Sequence, residues 1–361
     1  MTALEASLIA QIAAAPNGPH RNCLKVELAA HVARLGKYDE AKSIVAEVRA
    51  DEIWSSPELS SRVLFAEAMI RLEDEFELVA KDRLVRAFAI ADAAKLDNVA
   101  AGAAAWLGHF CFNRNDFAEM RKWFTYCRDR RDRLSSSTVA RVCLTLANAA
   151  RYCGDFDAAD RWYSRSRHEA VQIGDGAFLA ANMYNRAAIG ISRLRLDWVR
   201  GVADETLVDR SQLEIESARN YSKATANSAA IHLQELWLGR LLQIKGKQAD
   251  ALIMLGAALG ELAEAKHAGL KRTILADLAY SNCALGNMSP GRAMIEAFVD
   301  ADVQSLDADD SVAFCFQLTS IASALSLPSV VEALTLRLQA AIAAHEVTTK
   351  ELLAQVQELS F

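Results

Sequence analysis

Polar and apolar positions along this chain recur on a long period. A tripeptide of turn residue, polar residue and aromatic appears as Gly36-Lys37-Tyr38, Asn115-Asp116-Phe117 and Gly154-Asp155-Phe156. Three residues beyond each aromatic stands a core-type residue, Ala41, Met120 or Ala159. Weaker copies begin at Leu196 (Leu-Asp-Trp), at Gly246 (Gly-Lys-Gln, then Ala251) and at Gly286 (Gly-Asn-Met, then Gly291). From Asn115 onward the copies lie 39, 42, 50 and 40 residues apart, and the 79 residues between Gly36 and Asn115 leave room for one hidden unit, Ser56 to Asp97. A final pair fits after Asp309. Self-similarity at this period predicts stacked supersecondary units. In each unit one helix ends, a glycine or asparagine takes the left-handed cap, and the aspartate and aromatic enter the next helix. The aromatic packs between the two helices, and the small residue beyond it lets them lie close.

Other punctuation agrees. Ser56-Pro57-Glu58 and Ser289-Pro290 predict N-caps followed by proline at the first helical position. Ser135-Ser136-Ser137 offers another cap, and Gly174-Asp175-Gly176 breaks the chain between two units. Because the spacing swells to 50, Val202 to Asn220 is expected to be an irregular insertion. Thr348 and Glu351 form a capping box that predicts a fresh helix through Leu352, Leu353, Val356 and Leu359. Leu338, His345, Leu352 and Leu359 are spaced by seven, a stripe that would support a homodimer through this C-terminal helix. The expected architecture is all-α: a superhelical solenoid of about eight antiparallel helix pairs over residues 1–345, with a capping or signalling helix over 346–361. Trp106, Trp123, Trp162, Trp198 and Trp237 fall at repeat positions and are expected in the core.

Composition sharpens this picture. Only 5 prolines and 16 glycines occur in 361 residues, too few for sheet-style turns. A formal net charge of −6 removes any chain-wide attraction to nucleic acid or an anionic membrane. The seven cysteines are odd in number, scattered and without a CxxC, as expected of reduced, mostly buried thiols in a cytoplasm. Met1 to Pro16 has Glu5 and no early basic residue, so it reads as an amphipathic helix rather than a signal peptide. Ser311 to Val331 carries no charge and is long enough to span a bilayer. Gln317, five further serines and threonines and Pro328 instead predict a buried helix, a turn and the start of another helix. No GxxxxGK[ST], HExxH or GxSxG motif is present, and His168-Glu169 lacks a second histidine four residues on. No catalytic residue, cofactor or metal is therefore expected.

The repeat residues resemble the tetratricopeptide repeat family. The best matches are Trp106-Leu107-Gly108 with Asn115-Asp116-Phe117, Met120 and Phe124, and then Leu146-Ala147 with Gly154-Asp155-Phe156, Ala159 and Tyr163. The resemblance covers roughly residues 30–345. The usual family spacing is 34 and its closing proline is absent here, so the unit is more similar to the extended helical repeats of bacterial regulatory proteins. The ending Val356-Gln357-Glu358-Leu359-Ser360-Phe361 resembles the helix that leads into a GGDEF-type diguanylate cyclase domain. That resemblance implies the sensory half of a larger signalling protein and no cyclase activity in these residues; a cap on the open end of the solenoid is the other reading.

In this repeat family the first helix of each pair lines a concave groove. The resemblance places His109, Asn113, Arg141, Asn148, Arg151, Tyr152, Arg186, Arg193, Arg240, Gln243 and Tyr280 there. The set holds five arginines and no acid, and implies a protein or peptide partner, acidic in character, or a small anion. The other reading pairs each arginine with an acid on a neighbouring helix. Two charge runs have parallel readings. Arg128-Asp129-Arg130-Arg131-Asp132-Arg133 suits a helix C-terminus better than nucleic acid. Glu73-Asp74-Glu75-Phe76-Glu77 reads as a solvated turn. The function expected is a non-catalytic, cytoplasmic sensor or adaptor, with a stand-alone assembly scaffold as the alternative.

Overall fold

A computed structural model describes residues 1–51, 56–71, 78–202, 205–225, 227, 231–262, 268–300 and 306–359. Every long element among them is a helix. An opening helix, α1 (Ala3–Ala14), is followed by α2 (Pro19–Arg34) with α3 (Tyr38–Ala50), and α4 (Pro57–Arg71) with α5 (Leu78–Ala93). Next come α6 (Asp97–Asn113) with α7 (Phe117–Arg128), and α8 (Ser136–Tyr152) with α9 (Phe156–Gln172). The later pairs are α10 (Gly176–Val199) and α11 (Glu205–Ala224), α12 (Ile231–Ile244) and α13 (Gln248–Gly260), α14 (Ala268–Ala284) and α15 (Ser289–Phe298), and α16 (Ala308–Ala324) and α17 (Pro328–Gln357). Eight pairs after a leading helix is the predicted all-α repeat architecture.

The turn inside a pair is the repeating device. Gly36, Asn115, Gly154, Gly246 and Gly286 all have positive φ, between 57° and 86°, as the tripeptide predicted. Asn115 takes the left-handed conformation, Asp116 accepts a hydrogen bond from the Glu119 amide, and Phe117 opens α7. Gly154, Asp155 and Phe156 do the same for α9. The last pair turns on Ser326 (φ 59°), which carries no glycine or asparagine signal. Ala41, Met120, Ala159 and Ala251 are all fully buried.

The fifth pair corrects the expected register. Leu196-Asp197-Trp198 is not a turn: α10 runs unbroken through it, and the pair turns at Gly201 (φ 72°). The expected irregular insertion, Val202 to Asn220, is also corrected, because α11 begins at Glu205 and is helical through Asn220. The extra residues lengthen both helices, to 24 and 20 residues, instead of forming a loop.

Helix starts follow the predicted caps with two exceptions. Ser56 accepts from the Leu59 amide at 3.1 Å and Ser135 from the Thr138 amide. At α15, however, Met288 stands at the cap and Ser289 is already helical. Thr348 starts nothing: its hydroxyl donates to the Ala344 carbonyl at 3.1 Å in the middle of α17. The predicted start of a separate helix there is thus overturned. The heptad stripe meant for a homodimer is likewise used internally, since His345, Leu352 and Leu359 are buried within the chain. Of the five repeat tryptophans only Trp106 is buried, and the others are half-buried. Ser311–Val331 resolves into most of α16, a turn and the start of α17, and no described helix is long and apolar enough to cross a membrane. The acidic turn Glu73–Glu77 lies outside the described residues.

The chain forms two compact units. The first comprises 1–182, 220–229 and 352–361; the second comprises 183–219 and 230–351. In the first, Phe117, Met120, Phe124, Val142 and Leu146 pack with Leu352 and Leu359. In the second, Phe314, Leu318, Ile321 and Leu334 pack with Ala276, Ala279 and Met294.

Close helix approach inside the α6–α7 pair depends on Gly108, where a Cβ would meet the Phe124 ring at 2.3 Å. Alanine is ordinarily better than glycine in a helix by about 1 kcal/mol. Here the overlap reverses that sign. Gly108→Ala is expected to lower stability by about 1–3 kcal/mol, the range for overpacking a core. Hydrogen exchange of the α6 and α7 amides checks this, and Phe124→Leu in the same chain should recover part of the loss.

Candidate functional site

The predicted groove residues divide between the two units. His109, Asn113, Arg141, Asn148, Arg151 and Tyr152 belong to the first; Arg186, Arg193, Arg240, Gln243 and Tyr280 belong to the second. Their environments differ sharply.

The first unit contains a cavity of about 370 Å³. Its walls come from Val26, Ala30, His31 and Arg34 of α2, Arg62 and Phe65 of α4, Val99, Gly102 and Trp106 of α6, and Thr138 and Arg141 of α8. Leu4 of α1, Glu27, Asn98, Ile173, Asp175 and Phe178 also line it. Apart from α1, each helix wall is thus the first helix of a pair. Ser135, Ser136 and Ser137, at the N-terminus of α8, also line it.

Arg141 is the predicted groove residue that faces this cavity. It is 5 % exposed, and its guanidinium carbon lies 3.7 Å from the Trp106 ring centroid and 4.5 Å from that of Phe178. Among the described residues no carboxylate pairs with it, and its Nε has no hydrogen-bond partner. Burial, with Arg34 adding to it and Asp175 opposing, pushes its pKa well below the usual arginine range. Because an arginine does not give up its proton in a protein, that direction marks an under-compensated buried charge.

The other cavity charges are matched. Asp175 is fully buried at the start of α10, where it accepts from the Phe178 amide at 3.1 Å. Arg34 pairs with it at 2.9 Å and His31 stands 3.5 Å away. Burial pushes its carboxyl up, but Arg34 and the Phe178 amide outweigh it and hold the carboxyl below the usual range. Arg62 pairs with Glu27 at 3.2 Å and Glu58 at 3.1 Å. His31 donates from Nε2 to the Thr2 hydroxyl at 2.7 Å and accepts at Nδ1 from Arg34 at 3.3 Å, an arrangement only the neutral ring can make. Burial first, and Arg34 second, hold its pKa down at about 4.

His109 lies beside Arg141 but serves α6–α8 packing. Its Nδ1 faces the Thr145 hydroxyl at 3.2 Å, and Asn113 donates to its Nε2 at 3.3 Å. Burial and the neighbouring Arg141 charge push its pKa well down, so it is neutral. Asn148 accepts from the Tyr163 hydroxyl at 2.9 Å and is buried. Arg151 is also buried, with its guanidinium over the Phe156 ring, and Tyr152 packs against the core around Phe124.

In the second unit the arginines of the set have acid partners, as the pairing reading expects. Arg186 pairs with Glu214 at 2.8 Å and Arg193 with Asp197 at 3.2 Å. Arg240 is fully buried and donates to Asp277 at 3.1 Å and Thr273 at 2.8 Å, with Asp310 3.3 Å away. Asp277 also takes Arg195 at 3.0 Å and the Gln317 amide, while Gln243 donates to the Asp277 carbonyl at 2.7 Å. Burial opposes the Arg240 charge, but Asp310 and Asp277 outweigh it and raise its pKa. Tyr280 packs edge-on against Trp198. The partners Glu214, Asp277 and Asp310 were missed because each lies on another helix, 28 or more residues from its arginine. Asp197 was readable, being four residues after Arg193 on one helix face.

The basic run at the end of α7 is likewise engaged: Arg133 and Arg130 reach Asp97 at 3.0 and 3.7 Å, and Arg130 stacks on Tyr126. All seven cysteines are free thiols, six of them buried. No group of three or more metal-ligating side chains occurs among the described residues.

No family model matches the chain, and no curated protein matches it in sequence. Neither the tetratricopeptide resemblance nor that of the C-terminal helix to a GGDEF linker is therefore carried by a sequence match. Among solved structures the chain is similar to a Rap protein, seen in the crystal structure of that protein complexed with competence and sporulation factor. The TM-score is 0.55 at 10 % identity, over 93 % of this chain and 99 % of that one. At that identity the likeness is one of fold, and it places this chain among helical repeat solenoids of the kind the Rap protein represents.

Proposed function

We propose that this chain is a regulatory adaptor that binds a peptide or protein segment on the inner face of its first unit. The observation that carries this reading is the cavity whose walls come from α2, α4, α6 and α8, the first helices of four successive pairs. Solenoids use such concave faces for binding. The Rap protein of similar fold is complexed with competence and sporulation factor, and the same use of the fold is adopted here. The free, largely buried thiols suit a reducing compartment such as the cytoplasm. A sensory role adds one requirement: the bound segment must favour one conformation of the chain over another.

The test is affinity capture from the source cell, followed by amide hydrogen exchange on the captured complex. Protection is expected at the first turn of α8, Ser136–Val139, and along α6. Protection confined to α3, α5, α7 and α9 would place the partner on the outer face and end this proposal.

A further inference from the structure

We propose that the cavity of the first unit is a site for a single carboxylate group carried on a compact apolar body, with Arg141 as its counter-charge; this rests on the reading of that cavity as the binding face.

Three observations converge on it. The first is Arg141, nine-tenths buried in the cavity wall with no carboxylate partner among the described residues. The flanking Trp106 and Phe178 rings ease burial of a cation but accept no ionic hydrogen bond. Two buried guanidiniums of the second unit are treated differently: Arg240 and Arg195 each receive two aspartates. The second is the N-terminus of α8, a helix of 17 residues whose Ser135–Ser137 segment borders the same space. Its amide dipoles add positive potential at the point where an anion would sit. The third is the charge count. Arg34 is matched by Asp175 and Arg62 by Glu27 and Glu58, which leaves Arg141 as the lining guanidinium without a negative charge of its own.

One missing charge selects a monoanion, and the planar fork of arginine suits the two oxygens of a carboxylate. Val26, Ala30, Phe65 and Val99 supply an apolar part of the wall for the body of the ligand, and Ser135–Thr138 add hydroxyl donors. A volume near 370 Å³ lies at the small end of ligand pockets, enough for an organic acid or the acidic end of a peptide.

The experiment is calorimetric titration of the full chain with small aromatic and aliphatic carboxylic acids, each beside its own primary amide. Inorganic phosphate is included, as are N-acetyl dipeptides with a free or amidated C-terminus. Binding is expected among the acids, at least tenfold weaker for each amide. Arg141→Gln should erase the difference between acid and amide. Arg141→Lys, which keeps the charge but loses the fork, should weaken acid binding without abolishing it; circular dichroism verifies that both variants are helical. Tighter binding by free acids than by dipeptides identifies a metabolite source, and the reverse identifies a peptide end. Equal binding of acid and amide, binding unchanged in Arg141→Gln, tighter binding of phosphate, or no acid binding at millimolar concentration each overturns the carboxylate assignment. Those failures leave the cavity as the partner face standing, because that is read separately by hydrogen exchange on the captured complex.

Discussion

Asp277→Ala is expected to destabilise the second unit by about 3–5 kcal/mol, the cost of breaking a buried charge pair by removing one partner. Asp277 is completely buried, and its two oxygens take Arg195 and the Gln317 amide on one side and Arg240 on the other. Removing them leaves two buried guanidiniums sharing Asp310 alone. The effect exceeds that of losing any surface pair in the chain, such as Lys25–Glu47, for which well under 1 kcal/mol is expected. Because the chain has two compact units, a single unfolding midpoint is a poor readout. Hydrogen exchange of the α12 and α14 amides measures the unit directly. A loss below about 1 kcal/mol would show that the arginines find other partners at little cost. Asp277→Asn, which keeps the shape but not the charge, should fall between wild type and alanine.

The second large effect is a dependence on acid in the first unit. The unfolded chain takes a proton at His31 below about pH 6.5, whereas the folded chain resists until about pH 4. Between those values the unfolded state binds more protons, so stability rises with pH and falls as acid is added. The window corresponds to about 3 kcal/mol, fully present above pH 6.5 and lost by pH 4. Arg34, Lys37, Asp175 and Glu5 act on the ring through their charges, and the two cations oppose its protonation while the two acids favour it. Asp175, whose pKa is lowered, adds a loss of the same sign at still lower pH. His31→Gln keeps a polar partner for Thr2 and removes the titration. Its hydrogen-exchange stability in α2 should therefore decline less steeply than that of wild type from pH 6.5 to 4.5, the remaining slope coming from His109, whose pKa is lowered as well. Parallel declines in both proteins would assign the acid sensitivity to another group.

Much of the fold was legible because its turns are local. Asn115-Asp116-Phe117 and Gly154-Asp155-Phe156 each specify a left-handed residue, a cap and an aromatic that opens the next helix within three positions. Where the turn residue was ordinary, as at Ser326, or displaced, as at Gly201, the pattern misled or fell silent. The capping box at Thr348 failed for a related reason: a threonine within a helix can bond its hydroxyl to the carbonyl four residues back. The site was legible in part. Repeat register carried Arg141 onto the inner face, but Arg34, His31 and Asp175 come from segments up to 144 residues apart in sequence, and nothing local joins them. Register alone also could not tell a guanidinium left open to a cavity from one already bound, since Asp277 stands 37 residues beyond Arg240.

The packing of Leu352 and Leu359 against Met120 and Phe124 has a consequence for synthesis. Arg121 and Glu358, which pair beside that core, are separated by 237 residues. A ribosome adding about 5–20 residues per second needs roughly ten to fifty seconds to travel that distance. For that interval the nascent first unit presents an uncovered apolar edge, the kind of surface that holdase chaperones occupy. Truncation before Leu352 would make the interval permanent.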